Sequence, residues 1–192
     1  MEKRCETLGE GSRLNPAPLG LAGFGFTTFL LNLVNAGLLD SSALPVVLAM
    51  GIFYGGLAQI IAGFLEAKLG NTFGAVAFTS YGLFWLATVG IIMGYFGEAS
   101  TAGMAAYLAG WGVFTAIMTV ATKNHATTTK FVFASLTALF FLLAAGEFNP
   151  TIHLLGGYVG LICGASAIYA SAAGVINESL NSPHIAENGY CF

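Results

Sequence analysis

The stretch NPAPLGLAGFGFTTFLLNLVN, residues 15–35, decides the fold. It is apolar and about as long as the 20-residue helix that crosses a bilayer, yet it carries polar side chains at helical spacing. Gly20, Phe24, Thr28, Asn32 and Asn35 are three or four residues apart, so they share one helix face. An unpaired amide or hydroxyl costs about 2–7 kcal/mol in hydrocarbon, so this face is predicted to meet other helices or a water-filled path. The opposite face, which is predicted to meet lipid, carries Leu21, Phe29 and Leu33.

An asparagine and two prolines predict where this helix begins. A residue before proline is disfavoured in the α region, which suits a helix N-cap, and Asn is a preferred capping residue. Pro16 and Pro18 fall in the first turn, where no intrahelical N–H donor is needed. The helix is therefore predicted to begin at Pro16 with Asn15 as its cap.

Composition places the whole chain in a membrane. Of 192 residues, 56% are hydrophobic and only 8% are charged, whereas a soluble domain has about 25% charged residues. The net charge is −3 and no basic cluster indicates nucleic-acid binding. The three cysteines have no metal-ligand spacing. The predicted class is an all-α integral membrane protein with the lipid bilayer as its surroundings.

Six transmembrane helices fit the apolar runs. The predicted transport domain is 15–178, between short tails at 1–14 and 179–192. All six Lys and Arg residues lie in the first tail or in the loops after helices 2 and 4. The positive-inside rule then puts both termini in the cytoplasm of a multi-pass cell-membrane protein. The predicted helices are 16–39, 45–65, 72–96, 102–122, 131–146 (with 127–129 as an added turn) and 152–177.

Glycines recur every fourth residue on two helices. Gly156, Gly160 and Gly164 do so on helix 6, and Gly51 and Gly55 do so on helix 2. Small residues at this spacing let helix backbones approach closely, so they are interpreted as packing residues, with widening of a substrate path as the alternative.

No arrangement of side chains predicts catalysis, a metal or a cofactor. The three histidines are scattered, and there is no phosphate-binding loop and no Ser-His-Asp set. An enzyme is therefore not expected. Glu66 and His153 suggest the hypothesis of a proton relay. Both are predicted at helix ends near the membrane interface, however, where a charged side chain costs little free energy and needs no special function.

Uncharged polar side chains remain as candidates for lining a path. A lone hydroxyl in a helix more often bonds its own backbone than a ligand. The amide side chains of Asn32 and Gln59 have more hydrogen-bond donors and acceptors than a hydroxyl. Two interpretations remain open for them: they line the path, or they bond to a neighbouring helix. The candidates are Thr27, Thr28, Asn32, Asn35, Tyr54, Gln59, Thr79, Ser80, Tyr81, Thr88, Thr115, Ser135, Thr137, Ser166 and Tyr169.

Four motifs resemble one known family. NPAPLGLAGFGFTT (15–28), MGIFYGGLAQIIAG (50–63), NTFGAVAFTSYGLFW (71–85) and GLICGASAIY (160–169) are similar to the succinate–acetate permease family of acetate uptake transporters. The resemblance spans about residues 14–178. It implies a six-helix membrane transporter for acetate and succinate that assembles as a homo-hexamer.

The resemblance also implies a constriction in each subunit. The matching positions are Phe24, Tyr81 and Leu136, and it places Asn15 at the cytoplasmic mouth of the path. At about 1.5 Å per residue the three lie roughly 12, 15 and 9 Å into their helices, which is a similar depth. The alternative for these residues is ordinary core packing.

A path without fixed charge constrains the mechanism. Neutral donors bind a small carboxylate weakly enough to release it, and protonation lowers its desolvation cost. Proton-linked uptake of short-chain carboxylates is therefore the hypothesis. The alternatives are an uncoupled channel for small anions or neutral solutes, and a membrane sensor or scaffold, which the short tails disfavour.

Overall fold

The structure is a computed structural model that describes residues 14–180, so most of both predicted tails lies outside it. Within the described residues the chain forms helices, turns and loops without any strand. Six helical spans are long and apolar enough to cross a membrane, which confirms the predicted class. The spans are Ala17–Asn35, Ser41–Lys68, Thr72–Ile92, Thr101–Asn124, Thr127–Gly146 and Pro150–Ser179.

Helix ends differ from the predicted ones for local reasons. The first span ends at Asn35 rather than 39, because Gly37 has φ of +66°, a left-handed conformation that stops a helix. Gly94, with φ of +72°, likewise follows the third span, which ends at Ile92 rather than 96. The extra turn at the start of the fifth span is confirmed, since that helix begins at Thr127.

Asparagine and serine side chains cap the N-termini of three spans. The Gly74 N–H donates to Asn71 Oδ1 at 3.1 Å, and the Gly103 N–H donates to Ser100 Oγ at 3.1 Å. The Thr151 N–H donates to Asn149 Oδ1 at 2.9 Å. Each bond satisfies a backbone donor that has no partner inside its own helix.

The second span is not a uniform α-helix. It begins with a 3₁₀ turn, Ser41–Ala43, continues as α-helix over Leu44–Met50, widens to a π-helix over Gly51–Ala58, and returns to α-helix over Gln59–Lys68. The sequence did not predict the π-helix. Such widened turns are rare and occur frequently at functional sites.

The first span is the centre of the bundle. It packs most extensively on the sixth span and also contacts the second and third spans. The sixth span packs on the fifth, the fifth on the fourth, and the second on the third. Residues far apart in sequence therefore meet along the first span.

The glycine stripes serve packing, as interpreted. A Cβ on Gly160 would collide with the side chain of Asn32, and one on Gly164 would lie 2.8 Å from the Phe29 nitrogen. On the second span, a Cβ on Gly51 would come within 2.7 Å of Val89. These close approaches hold the first span against the sixth, and the second against the third.

One side of the first span is placed as predicted and the other is not. Gly20, Phe24, Thr28 and Asn32 are buried against other spans. The expectation that Leu21 meets lipid is wrong, because Leu21 packs against the hydrophobic core, and Phe29 and Leu33 are only partly exposed. The strongly exposed side chains of this helix are Leu19 and Phe26, so the outer face is rotated from the predicted one.

Candidate functional site

The three residues predicted to form a constriction belong to one buried hydrophobic cluster. Phe24 and Tyr81 have ring centroids 6.0 Å apart, and their side chains are 6% and 3% exposed. Leu136 is 3% exposed and follows Phe133 by three residues on the fifth span, and the Phe133 ring lies 6.1 Å from that of Tyr81. The structure thus brings groups from the first, third and fifth spans together in the core.

Tyr81 is held in place by a hydrogen bond and by rings. Its hydroxyl donates to Thr115 Oγ1 at 2.9 Å, and Thr115 in turn donates to the Trp111 carbonyl at 2.7 Å. The Phe114 ring meets Tyr81 edge-on at 5.5 Å. The fourth span therefore fixes the orientation of the Tyr81 ring without contributing a predicted constriction residue.

Most predicted lining hydroxyls bond their own helix. Thr27 donates to the Gly23 carbonyl at 2.7 Å, and Thr88 donates to the Phe84 carbonyl at 2.8 Å. Ser166 donates to the Cys163 carbonyl at 2.7 Å. Thr137 and Ser135 do the same on the fifth span. These bonds agree with the plainer of the two interpretations, because a hydroxyl satisfied by its backbone needs no ligand.

Asn32 is satisfied locally rather than by an interhelical bond. Its Nδ2 donates to the Thr28 carbonyl at 2.8 Å, and its Oδ1 accepts from Asn35 Nδ2 at 3.1 Å. The side chain is 1% exposed and lies against Gly160 of the sixth span. A side chain in that position demands a glycine opposite it.

Gln59 and Thr28 differ from the other candidates. Gln59 is fully buried and donates from Nε2 to the Gly55 carbonyl at 2.7 Å, but its Oε1 has no partner. The Thr28 hydroxyl also has none. The indole Nε1 of Trp85, which sequence reasoning missed, is a third buried polar atom without a partner. Its position in NTFGAVAFTSYGLFW, four residues after Tyr81, was the signal available for finding it.

Two candidates on the third span are not brought to the constriction. Thr79 packs against Gly63 of the second span, and a residue two positions before Tyr81 points to the other side of a helix. Ser80 is half-buried.

Asn15 begins the first span and lines a cavity. Its Oδ1 accepts from the Ala17 N–H at 3.2 Å, which serves the first turn, while the helix itself starts one residue later than predicted, at Ala17. The cavity has a volume of about 590 Å³. Its walls come from the first, second and sixth spans, on the side of the first span away from Phe24; they include Pro18, Ala22, Tyr54, Ser171 and Glu178. The place of Asn15 at the mouth of a path stays a prediction.

Glu66 lies two residues before the end of the second span, as predicted, but its side chain is buried between helices. It is 3% exposed and accepts from Asn71 Nδ2 at 2.8 Å, beside the start of the third span. The positive end of that helix and the Asn71 amide offset only part of the cost of burying a carboxylate there. His153 is half-buried, and its backbone packs against Gly146 at the junction of the fifth and sixth spans.

Comparison with known proteins decides the family. The model of the GPR1/FUN34/yaaH family matches residues 8–187. The chain belongs to this family. It is 51% identical over 177 residues to the succinate-acetate/proton symporter SatP of Escherichia coli, covering 89% of this chain and 93% of SatP. It is 37% identical over 186 residues to acetate permease A of Emericella nidulans, covering 86% of this chain and 62% of the permease.

A solved structure agrees with the fold. The structure of the bacterial acetate channel SatP superposes with a TM-score of 0.87 at 51% identity, covering 92% of this chain and all of that one. The predicted family and six-span membrane fold are therefore confirmed, and the chain is a multi-pass membrane protein of this family.

Proposed function

We propose that this protein transports acetate and related short-chain carboxylates, including succinate, across the cell membrane together with protons. The observation that carries the proposal is the 51% identity, over nearly the whole chain, to a protein named succinate-acetate/proton symporter. The fold match to a bacterial acetate channel supports the same substrate.

We propose further that the path runs through each protomer and narrows at Phe24, Tyr81 and Leu136. Their burial in one cluster, on three spans of a single chain, supports a constriction formed without a second subunit. A homo-hexamer with cytoplasmic termini is the assembly and orientation that we expect in the membrane.

The lack of a buried cation among the described residues supports passage of a small acid. Among the described residues, Glu66 is the one charged side chain that is buried, and it lies at the end of its span. A fixed cation in the middle of the path would hold a carboxylate too strongly for rapid release. The neutral surroundings of Phe24 and Tyr81 avoid this.

Uptake of labelled acetate into proteoliposomes tests the function. We expect saturable uptake that an inward proton gradient accelerates and that unlabelled succinate competes with, relative to protein-free vesicles. Uptake equal to that of protein-free vesicles at every pH would refute transport of acetate.

An uncoupled channel is the second candidate, because the solved relative is described as an acetate channel. The two candidates differ in whether a proton gradient drives acetate above its equilibrium concentration. Accumulation inside the vesicles against an acetate gradient would favour the symporter, and equilibration alone would favour the channel.

A further inference from the structure

Three buried polar atoms on the first three spans have no hydrogen-bond partner. They are the Thr28 Oγ1, the Gln59 Oε1 and the Trp85 Nε1, on side chains that are 3%, 0% and 3% exposed. Buried polar groups in folded proteins nearly always have partners, because leaving one unpaired is costly. The absence of a protein partner for all three indicates that something else fills that role.

Two of the three lie one helical turn beyond the constriction. Thr28 follows Phe24 by four residues, and Trp85 follows Tyr81 by four. The first and third spans advance side by side, since Gly20 contacts Phe78 where Phe24 contacts Tyr81. Four residues correspond to about 6 Å, so Thr28 and Trp85 form the next layer on the side away from the N-terminus.

Gln59 reaches the same region from the second span. Its Nε2 bonds the Gly55 carbonyl, and a Cβ on Gly55 would lie 2.9 Å from the Trp85 Cγ. A Cβ on Gly23 would lie 3.4 Å from the Gln59 Cγ, so Gln59 packs against the first span as well. The π-helix ends at Ala58, directly before Gln59. π-Helical turns inside α-helices occur frequently at functional sites, and here one adjoins the proposed ligand-binding side chain.

We propose that Thr28, Gln59 and Trp85 form a substrate subsite, the acid subsite, that binds the carboxylic acid in its neutral, protonated form. The proposal rests on the proposed function and specifies the form in which the substrate is bound. The indole N–H only donates, so it suits the carbonyl oxygen of the acid. The Gly55 carbonyl only accepts, so the Gln59 amide must face it with its NH₂ group, and the Gln59 Oε1 is left to accept the acid O–H.

An anion fits the acid subsite less well than the neutral acid. A carboxylate has no proton to give to the Gln59 oxygen, and two acceptors would then face each other. No buried cation among the described residues offsets the cost of removing an ionised carboxylate from water. The neutral acid carries its proton along, so the subsite links proton and acetate movement without a side chain that titrates.

The ionisable side chains on the spans around the acid subsite give the experiment its control. They are Tyr54, Glu66 and Lys68 on the second span, Tyr81 on the third, and His153, Tyr158, Cys163, Tyr169 and Glu178 on the sixth. Glu66 lies seven residues from Gln59, about 10 Å along the helix, and is the buried carboxylate among them. Glu66→Gln therefore tests whether pH acts on the protein rather than on the substrate.

The test measures the KM for acetate in proteoliposomes from pH 5 to 8, with equal pH on both sides. We expect the KM in total acetate to rise about tenfold per pH unit above the pKa of acetic acid, because the neutral fraction falls tenfold. Trp85→Phe and Gln59→Met each remove one hydrogen-bonding group and should raise the KM for neutral acid by about 2- to 12-fold. Glu66→Gln should keep the pH dependence of the unmodified protein.

Three results would each overturn the acid subsite while leaving acetate transport intact. The first is a KM in total acetate that does not change with pH, and the second is that Trp85→Phe and Gln59→Met have the same KM as the unmodified protein. The third is that Glu66→Gln loses the pH dependence. Failure of the proposed function looks different, because the unmodified protein then shows no saturable uptake at all.

A binding measurement covers variants that transport too poorly to give a KM. The chain has two tryptophans, so Trp111→Phe leaves Trp85 as the only indole. Acetate should change the Trp85 emission at pH 5 and not at pH 8 at the same total concentration. An equal change at both pH values would mean that the anion binds.

Discussion

Replacing Leu136 by alanine is the sharpest test of the proposed constriction. Leu136 is 3% exposed and belongs to the same buried cluster as Phe24 and Tyr81, so truncation leaves a space that neighbouring side chains fill only in part. A Leu→Ala change in a core costs about 2–5 kcal/mol of stability. Discrimination by one methylene group in an apolar site is worth about 1–3 kcal/mol, or about 10- to 200-fold. Leu136→Ala should therefore raise the uptake of butyrate relative to acetate by about tenfold or more.

The assay is competitive uptake of labelled acetate and butyrate into proteoliposomes at one pH. Leu108→Ala is the matched control, because Leu108 is 8% exposed and lies in the same cluster but on the fourth span, which contributes no constriction residue. It should lower stability similarly and leave the butyrate-to-acetate ratio unchanged. If both variants change the ratio equally, or neither changes it, Leu136 does not limit the size of the substrate.

Three further predictions follow from other contacts. Gly160→Ala should prevent folding or lower the melting temperature strongly, because its Cβ would overlap Asn32, whereas Gly110→Ala, with open space around its Cβ, should leave the melting temperature nearly unchanged. Tyr81→Phe removes the donor to Thr115 and should cost about 0.5–1.5 kcal/mol in unfolding experiments, and no loss would show that the 2.9 Å bond contributes nothing. Tags fused to the two ends should both be protected from protease added outside intact cells, since the distribution of Lys and Arg predicts cytoplasmic termini, and cleavage of either tag would contradict that orientation.

The spans were predictable because hydropathy and turn chemistry act locally. Apolar runs bounded by Asp40, Asn71 and Asn149 locate the helices, and glycine explains where two of them stop earlier than expected. The π-helix was not predictable, because its sequence GIFYGGLA is as apolar and regular as an ordinary helix. The widened turn packs against the first and third spans, where Gly55 meets Thr27 and Trp85, and a sequence does not show these neighbours.

The polar residues were predictable in kind but not in role. Asn32 and Gln59 both donate to a carbonyl four residues earlier, yet Asn32 finds a second partner in Asn35 and Gln59 finds none. Only the neighbours in space make this difference, and a sequence does not show them. An indole in a membrane helix is typical of packing, and the unpaired N–H of Trp85 becomes visible only once the helices are assembled.

An apolar constriction and a neutral acid subsite follow from the same energetics. Passing an ionised carboxylate between Phe24 and Tyr81 would remove its water with nothing to replace it, since both groups are aromatic and buried. The protonated acid gives up fewer hydrogen bonds to water at that point, and Trp85, one turn further, and Gln59, packed against Gly23 and bonded to Gly55, offer partners to replace them. Under this reading, the side chains that narrow the path exclude the anion, and the unpaired atoms beyond them bind the form that passes.

A variant that adds a cation to the acid subsite, such as Gln59→Lys, should therefore bind acetate at pH 8, whereas the unmodified protein should not bind it at that pH. The acetate uptake of this variant should also no longer depend on a proton gradient. If uptake by Gln59→Lys still followed the proton gradient as in the unmodified protein, the proton would be carried by another group.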